Sequence, residues 1–436
     1  MFEKYDAYKD SGVEALGKIP NDWEVLRFRD ICEFGKGLNI TKENLEDVGI
    51  PCVNYGEVHS KYGFEVNPEI HQLKCVSENY LKSSPKSLLR YGDFVYADTS
   101  EDIDGSGNFT YLNSHQITFA GYHTVIVRPK NNINVRFLAY VFDSLSFRNQ
   151  IRKAVKGVKV YSITKSILKD TNIWLPDFNG QYEISQFLDK KTSEIDQAIA
   201  IKEQQIALLN ERKQIVIQKA VTQGLDQNVP MKDSGVEWIG QIPEHWECKP
   251  SRYAFRAVKR FKRDGTEIKF SVTQKWGVIP TDEMQESATQ AVSFDGFQIC
   301  LEDDLVLNKY KAHLGVFWRA PSRGLITGNY TVFEPLKGIN SKYFELLYHT
   351  PVYIDIFRTI VYGVIEGMMP LYNNDFYDML SIVPPLEEQL AIVQYVEEQQ
   401  KEFSKIERVF LGQIEKLKEY KTTLINDAVT GKIKVA

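Results

Sequence analysis

The chain has 436 residues, 43% of them hydrophobic and 25% charged, with a formal net charge of -5. That is too apolar for disorder and long enough for two to four structural units, and the bulk charge alone gives no hint of a nucleic-acid partner. No run approaches 18 apolar residues and MFEKYDAYKD lacks an apolar signal core, so neither a membrane span nor export is expected. The five cysteines (Cys32, Cys52, Cys75, Cys248, Cys300) are scattered without a CxxC pair. A disulfide framework or zinc site is therefore not expected, and a reducing cytoplasm is.

In chain order, the first signal is a lead-in motif, KDSGVEALGKIPNDWE at 9–24, which returns as KDSGVEWIGQIPEHWE at 232–247. The offset is 223, with no gap, and eleven of the sixteen positions are identical. The chain is thus an internal repeat.

The block that follows the first motif, 26–175, mixes short β-like runs (Ile50–Val53, Phe94–Tyr96, His123–Val127) with helical patterns (Val135–Leu145, Phe147–Val155). Phe34-Gly35-Lys36-Gly37 is a poor match to a glycine-rich cofactor loop, because Cys32-Glu33 reads as a weak strand and no helix follows. Asp98, Glu101, Asp102 and Asp104 form an acidic group best read as a polar loop around Gly105 and Gly107.

From Gln181 to Thr222 the chain holds no proline, and Ile184, Leu188, Ile195, Ile199, Ile206, Leu209, Val216 and Ala220 mark one helical face. A second copy at an offset of 208 pairs Pro176 with Pro384, Gln181 with Gln389, and Ala220-Val221-Thr222 with Ala428-Val429-Thr430. Its stripe is Ile392, Val396, Phe403, Phe410, Ile414, Leu417, Leu424 and Ala428. Each helix is about 40 residues, roughly 60 Å. One apolar stripe on so long a helix calls for a partner helix, and pseudo-twofold packing of the copies makes the pair antiparallel.

The second block, 249–383, has strand candidates Ile299–Leu301, Leu305–Leu307, Val316–Trp318 and Thr331–Phe333, and helix candidates Ser341–His349 and Val352–Thr359. Gly92-Asp93-Phe94-Val95 aligns with Asp303-Asp304-Leu305-Val306, and Gly121–Val125 with Gly328–Val332. The offsets make the first block 15 residues longer.

Counted by segment, the charge is informative. Residues 249–275 and 136–169 each carry +7, and the C-terminal helix carries -3. Basic clusters interleaved with Tyr, Trp, Asn and Gln suit phosphate contact and base-edge reading. Candidate reading positions are Asn54, Tyr55, Gln274, Lys275, Trp276, Asn308, Lys309, Tyr310, Lys311, Asn329 and Tyr330. Basic or polar loop positions add Lys36, Thr99, Lys156, Lys159, Tyr161, Arg260, Lys262 and Arg263. No catalytic constellation accompanies them: the sequence has no Walker A loop, no HExxH and no amino-methyltransferase motif, and Glu183-Ile184-Ser185 lacks the lysine of a nuclease motif.

The doubled KDSGVE…IP…WE motif, the LP/PP-then-helix segments ending in A-V-T, and Phe270–Pro280 resemble the specificity subunit of type I restriction–modification systems. The likeness covers essentially the whole chain. It implies two α/β target recognition domains joined by two long antiparallel, coiled-coil-like helices, each domain reading half of a split double-stranded DNA site. It also implies a non-catalytic chain with no cofactor of its own. Two methylation subunits would bring S-adenosylmethionine, and restriction subunits would bring ATP and Mg2+. The expected division is a lead-in motif at 1–25, recognition domains at 26–178 and 249–383, long helices at 179–224 and 384–436, and a linker at 225–248. The alternatives are a self-contained DNA methyltransferase or nuclease with an unfamiliar site, and a coiled-coil scaffold without DNA affinity.

Overall fold

The computed structural model describes residues 2–130, 132–157, 160–262, 265–284, 296–361 and 370–435. The chain divides into two compact units, Met1–Lys202 with Gly412–Ala436, and Glu203–Leu411.

In the first unit the strands are β1 (Glu24–Arg27), β2 (Cys32–Phe34), β3 (Ile50–Val53), β4 (Phe64–Val66), β5 (Cys75–Val76), β6 (Leu88–Leu89), β7 (Phe94–Ala97), β8 (Phe109–Leu112), β9 (Thr118–Ala120), β10 (Thr124–Pro129) and β11 (Asn172–Leu175). One sheet has the order β2-β10-β7-β8-β4 and another β5-β3-β9-β6, while β1 pairs with β11. Helices α1 (Val135–Asp143), α2 (Leu145–Ala154) and α3 (Lys165–Asp170) precede the long α4 (Phe178–Gln223). Every residue of β7 is buried, and Phe28, Phe94, Phe109 and Phe142 cluster over it with ring centroids 4.8–5.8 Å apart. β2 is a real edge strand, contrary to the reading of Cys32-Glu33 as weak. Its register on β10 (Phe34 opposite Val127, Cys32 opposite Pro129) supplies what its composition does not.

In the second unit the strands are β12 (Glu247–Pro250), β13 (Phe255–Val258), β14 (Ile268–Thr273), β15 (Gly277–Pro280), β16 (Gln298–Cys300), β17 (Leu305–Asn308), β18 (Phe317–Arg319), β19 (Gly324–Ile326), β20 (Tyr330–Pro335) and β21 (Leu380–Val383). The helices are α5 (Ser341–Tyr348), α6 (Pro351–Ile360), α7 (Asn373–Asp378) and the long α8 (Leu386–Val429). The sheets are β13-β20-β17-β18 and β15-β14-β19-β16, with β12 on β21. This is the topology of the first unit strand for strand, including the one parallel pair in the smaller sheet, β3 with β9 and β14 with β19. Among the described residues β4, parallel to β8, and the short ladder of Thr99–Ser100 with Tyr161–Ser162 have no counterpart, in keeping with the longer first block.

The faint alignment of Asp93 with Asp304 has a structural cause. Both carboxylates are buried, both accept a backbone N–H from three residues upstream (Arg90, Leu301), and both are held by an arginine, Arg128 or Arg260.

The lead-in motifs fold alike. Tyr8–Asp10 pairs with Lys18–Pro20, and Met231–Asp233 with Gln241–Pro243, in the same register. The identities shared by the two copies are turn chemistry: Asp10 and Asp233 each accept a glycine N–H two residues on, both at 2.9 Å. Each hairpin then rests on the end of a long helix. Gly431, with φ of 70°, lies under Pro20 and Trp23, and an added Cβ would come within 2.4 Å of the Pro20 ring. Gly224, with φ of 78°, lies under Pro243 and Trp246 in the same way, with 3.2 Å to the indole. Glycine serves both the left-handed C-cap and this close approach.

The two long helices have 46 and 44 residues. All sixteen residues of the two expected stripes are buried or half-buried. In the first unit Lys421 of α8 bridges to Asp196 of α4 at 2.7 Å. In the second, Ile217 of α4 packs against the cluster that holds Ile392 and Val396 of α8. Late residues of one helix thus lie with early residues of the other, so the pair is antiparallel.

The repeat residues Gln181 and Gln389 are buried at the start of these helices, 3% and 0% exposed. The Oε1 of Gln181 accepts the backbone N–H of Asn134 at 2.9 Å, and its Nε2 donates to the Pro176 carbonyl at 3.0 Å. Gln389 makes the same bonds to Asn340 and Pro384, both at 2.8 Å. Asn134 and Asn340 are in turn the N-caps of α1 and α5, each accepting the N–H three residues on. One amide therefore ties strand end, α1 or α5, and long helix together. Gln389→Leu leaves a buried N–H and two carbonyls without this partner, and at roughly 1–3 kcal/mol per abandoned group should destabilise the chain by about 3 kcal/mol. Urea unfolding checks this; an unchanged midpoint rules the tie out as a stabilising element.

Candidate nucleic-acid interface

The fold places carboxylates against most of the arginines in the two basic clusters. Arg136 is held by Asp189 (2.6 Å), Glu65 and the Tyr111 hydroxyl (2.8 Å), and these partners raise its pKa against the opposing effect of burial. Arg148 meets Asp143 at 3.0 Å, Arg152 meets Asp104 at 3.6 Å, and Lys153 meets Glu14 at 2.9 Å. In the second unit Lys249, Arg252 and Arg256 pair with Glu247, Asp378 and Glu334. The sequence count of +7 per cluster thus overstates the open charge, because most of these acids come from distant parts of the chain.

Two expected positions are corrected. Asn54 is 1% exposed, its Nδ2 donating to the Cys52 carbonyl at 3.1 Å while its backbone N–H meets Glu57; it shapes the end of β3. Arg260 bridges Asp304 at 2.6 Å and Glu334 at 3.1 Å, so its charge is internally matched. Burial nonetheless pushes the Asp304 carboxyl up, against the pull of Arg260. Lys159 and Arg263 lie outside the described residues.

The other expected positions form surface groups. In the first unit Tyr55 stacks on His59 (5.2 Å between centroids, 12° between planes). Thr99 and Tyr161 sit on facing strands of a two-residue ladder, with Lys156 exposed nearby in sequence. Lys36 is exposed just after β2. In the second unit Lys262 is exposed, and Gln274, Lys275 and Trp276 form the tip of the β14–β15 hairpin. Trp276 is 65% exposed, with the Lys275 ammonium 4.6 Å from its ring, beside a groove of about 600 Å³ that Ile279 and Met284 also line.

Asn308 pairs with Tyr330 at the end of β17. Lys309 follows, its ammonium 5.1 Å over Tyr310, with Lys311 and Asn329 exposed. Lys309 and Tyr330 line a second cavity of about 580 Å³ with Lys259, Gln298, Asn373 and Asn374. Sequence reasoning did not single out Gln298, Asn373 or Asn374. The signal was present, a Tyr-Asn-Asn run after Leu371 whose two asparagines open a short helix, but its nearness to Lys309 is a tertiary fact.

In the first unit Lys165 and Lys169, one turn apart on α3, lie close to Lys36. Desolvation lowers the Lys165 pKa first, and repulsion by Lys169 and Lys36 lowers it further. Such mutual repulsion among lysines is relieved by an anion, and a phosphate backbone supplies a row of them. The acidic group at 98–104 is a loop clasp: Asp102 accepts the Gly105 N–H, Asp104 faces Arg152, and Asp98 bridges His123 at 3.2 Å.

Residues 20–211 match the type I restriction modification DNA specificity domain. The chain is 26% identical over 249 residues to the MjaX specificity subunit of Methanocaldococcus jannaschii, itself a provisional assignment. That match covers 57% of this chain and spans only about half (55%) of the relative's length. The likeness to the EcoKI specificity subunit of Escherichia coli is 22%, over 88% of this chain and 83% of that one. A chain from a structure describing assembly and conformational transition of the type I R-M system shares the fold at a TM-score of 0.66 and 15% identity, covering 94% of this chain and 98% of that one. The chain is thus similar to type I specificity subunits over most of its length. The mixed α/β architecture with two long helices is the fold of that structural relative.

The lysine group gives a direct check. Replacing Lys36 by Ala removes one of the two charges acting on Lys165, so the Lys165 pKa should rise toward the ordinary value of 10.5. NMR titration of its side-chain amine reads the shift; an unmoved pKa dissolves the cluster.

Proposed function

We propose that this chain is the DNA-reading subunit of a type I restriction–modification complex. Each unit reads one half of a split double-stranded target, the paired helices fix the distance between the halves, and methylation and restriction subunits supply the chemistry. The observation that carries this reading is one topology used twice, with different side chains at its open surfaces: Gln274, Lys275 and Trp276 on one, Tyr55, His59 and the lysine group on the other. A scaffold with one ligand has no need of two chemistries on one frame. The division follows the repeat, with recognition domains at 26–178 and 249–383 around helices at 179–224 and 384–436. Among the described residues no cluster of metal-ligating side chains is present, and no helix is long and apolar enough to cross a membrane.

Exchanging residues 249–383 for the corresponding block of a relative should change one half of the target and leave the other intact. Sequencing of methylated sites in cells carrying the hybrid reads this directly, and altered recognition of both halves would sink the modular reading. Inserting one helical turn near Gln205–Leu209 and its partner region near Gln413–Leu417 should lengthen the tolerated gap, with both halves unchanged. Methyl transfer by the isolated chain given S-adenosylmethionine and DNA would instead favour a self-contained enzyme.

A further inference from the structure

The repeat extends to one surface where neither copy resembles the other in sequence. Pro129 pairs with Cys32 at the end of β10, and Pro335 pairs with Phe255 at the end of β20. Counting four residues on from each edge-strand partner places Lys36 and Lys259 at equivalent points. Thr124 pairs with Ala97, and Tyr330 with Asn308, so the register shifts the sequence alignment of Gly121–Val125 with Gly328–Val332 by one residue: His123 corresponds to Asn329 and Asp98 to Lys309. The same backbone hydrogen bond then closes each group. The Ile163 N–H donates to the Asp98 carbonyl at 2.8 Å, and the Leu371 N–H to the Lys309 carbonyl at 2.9 Å. Two residues further on, α3 opens with Lys165-Ser166 and α7 opens with Asn373-Asn374.

One backbone frame thus carries two donor sets. The second unit presents two lysines and two exposed amides around its 580 Å³ cavity. The first presents Lys36, Lys165 and a carboxylate–imidazole pair, Asp98 with His123, whose His123 side chain is 61% exposed. An asparagine amide offers a donor and an acceptor side by side, the pattern that matches adenine N6 and N7, whereas a carboxylate accepts from cytosine N4. Lysines give phosphate contact without sequence information.

Building on the DNA-reading function above, we propose that this duplicated surface, between the edge-strand pair and the short helix α3 or α7, is the base-selecting site of each unit. Asn373 and Asn374 set the preference of the second unit, and Asp98 with His123 set that of the first. Lys259 and Lys309, or Lys36 and Lys165, anchor the backbone of the same half-site. The hairpin tip at Trp276 then contacts DNA without fixing this base.

Selection of bound duplexes from a randomised double-stranded DNA library by the full chain tests the assignment. The unaltered chain should enrich a split motif. The double variant Asn373→Ala with Asn374→Ala should weaken preference at one or two positions of one half by about tenfold or more and leave the other half as it was. The double variant Asp98→Asn with His123→Ala should do the converse. The double variant Lys259→Ala with Lys309→Ala should leave the motif unchanged and reduce the slope of affinity against salt by about 1 per lysine. Asn373→Asp, nearly the same size, removes the donor and keeps the acceptor, so it should shift the preferred base even if the alanine variant folds poorly. If the unaltered chain enriches a split motif and every Asn373 and Asn374 variant enriches the same one with equal preference, the site assignment is wrong while DNA reading stands. If the unaltered chain enriches nothing, DNA reading fails and this site with it.

Discussion

Everything the two units present to a ligand depends on one buried amide in each. Gln181 and Gln389 stand where a strand ends in proline, α1 or α5 begins and a long helix begins, and each satisfies backbone groups from both sides. A proline carbonyl and an N-cap N–H left unpaired in a dry site would cost more than most surface contacts return. An amide carries one acceptor and two donors on a plane, so it can serve both groups at once. A carboxylate offers no donor, and a hydroxyl cannot span the gap. Helices α1 and α5 are in this way set against the long helices, and the sheets that carry the surface loops pack on α1 and α5.

The long helices were legible because their signal is local and periodic, and every stripe residue in the sequence is covered in the fold. The helices α1 and α5 were legible for the same reason, with Asn134 and Asn340 capping one residue before the expected starts. Charge was not legible. Arg136 meets Asp189 and Arg260 meets Asp304 across 53 and 44 residues, and no segment count can see those partners. Asn54 failed differently. It sits at a strand end where a polar residue usually signals an exposed loop, but this strand runs parallel to β9, and Gly121 packs directly on its amide. The cavity of the second unit was missed because its members come from five separate stretches of chain.

Why the frame is kept while its surface differs follows from what each position touches. Asp93 and Asp304 are fixed by backbone N–H groups and an arginine, and the glycines at 224 and 431 by indole and proline rings. Replacing any of these strands a buried group or forces a clash. Asp98 and Lys309, by contrast, contribute their backbone carbonyls to the frame, while their side chains meet the exposed His123 and Tyr310 at the surface. Because the shared bond is a backbone one, the position carries a carboxylate in one unit and an ammonium in the other without a change in topology. Freedom of this kind is what a surface needs if its chemistry is to change independently of its scaffold.

The division of labour between arginine and lysine follows the same logic. Arg128, Arg136, Arg148 and Arg260 face fixed carboxylates, where a rigid fork with several donors loses little freedom per bond formed. The cations left at the surfaces are mostly lysines: Lys36, Lys156 and Lys165 in one unit, Lys259, Lys262 and Lys311 in the other. A flexible ammonium is a mobile point charge, and it follows a phosphate backbone whatever the sequence above it. Such groups raise affinity for any duplex equally and make binding steeply dependent on salt. Held on phosphate, they carry no sequence information. In the proposed reading, discrimination falls to the few planar, hydrogen-bonding side chains set among them, and one frame carries these at different points in the two units: an amide pair on α7, and a carboxylate beside an imidazole where β7 and β10 meet.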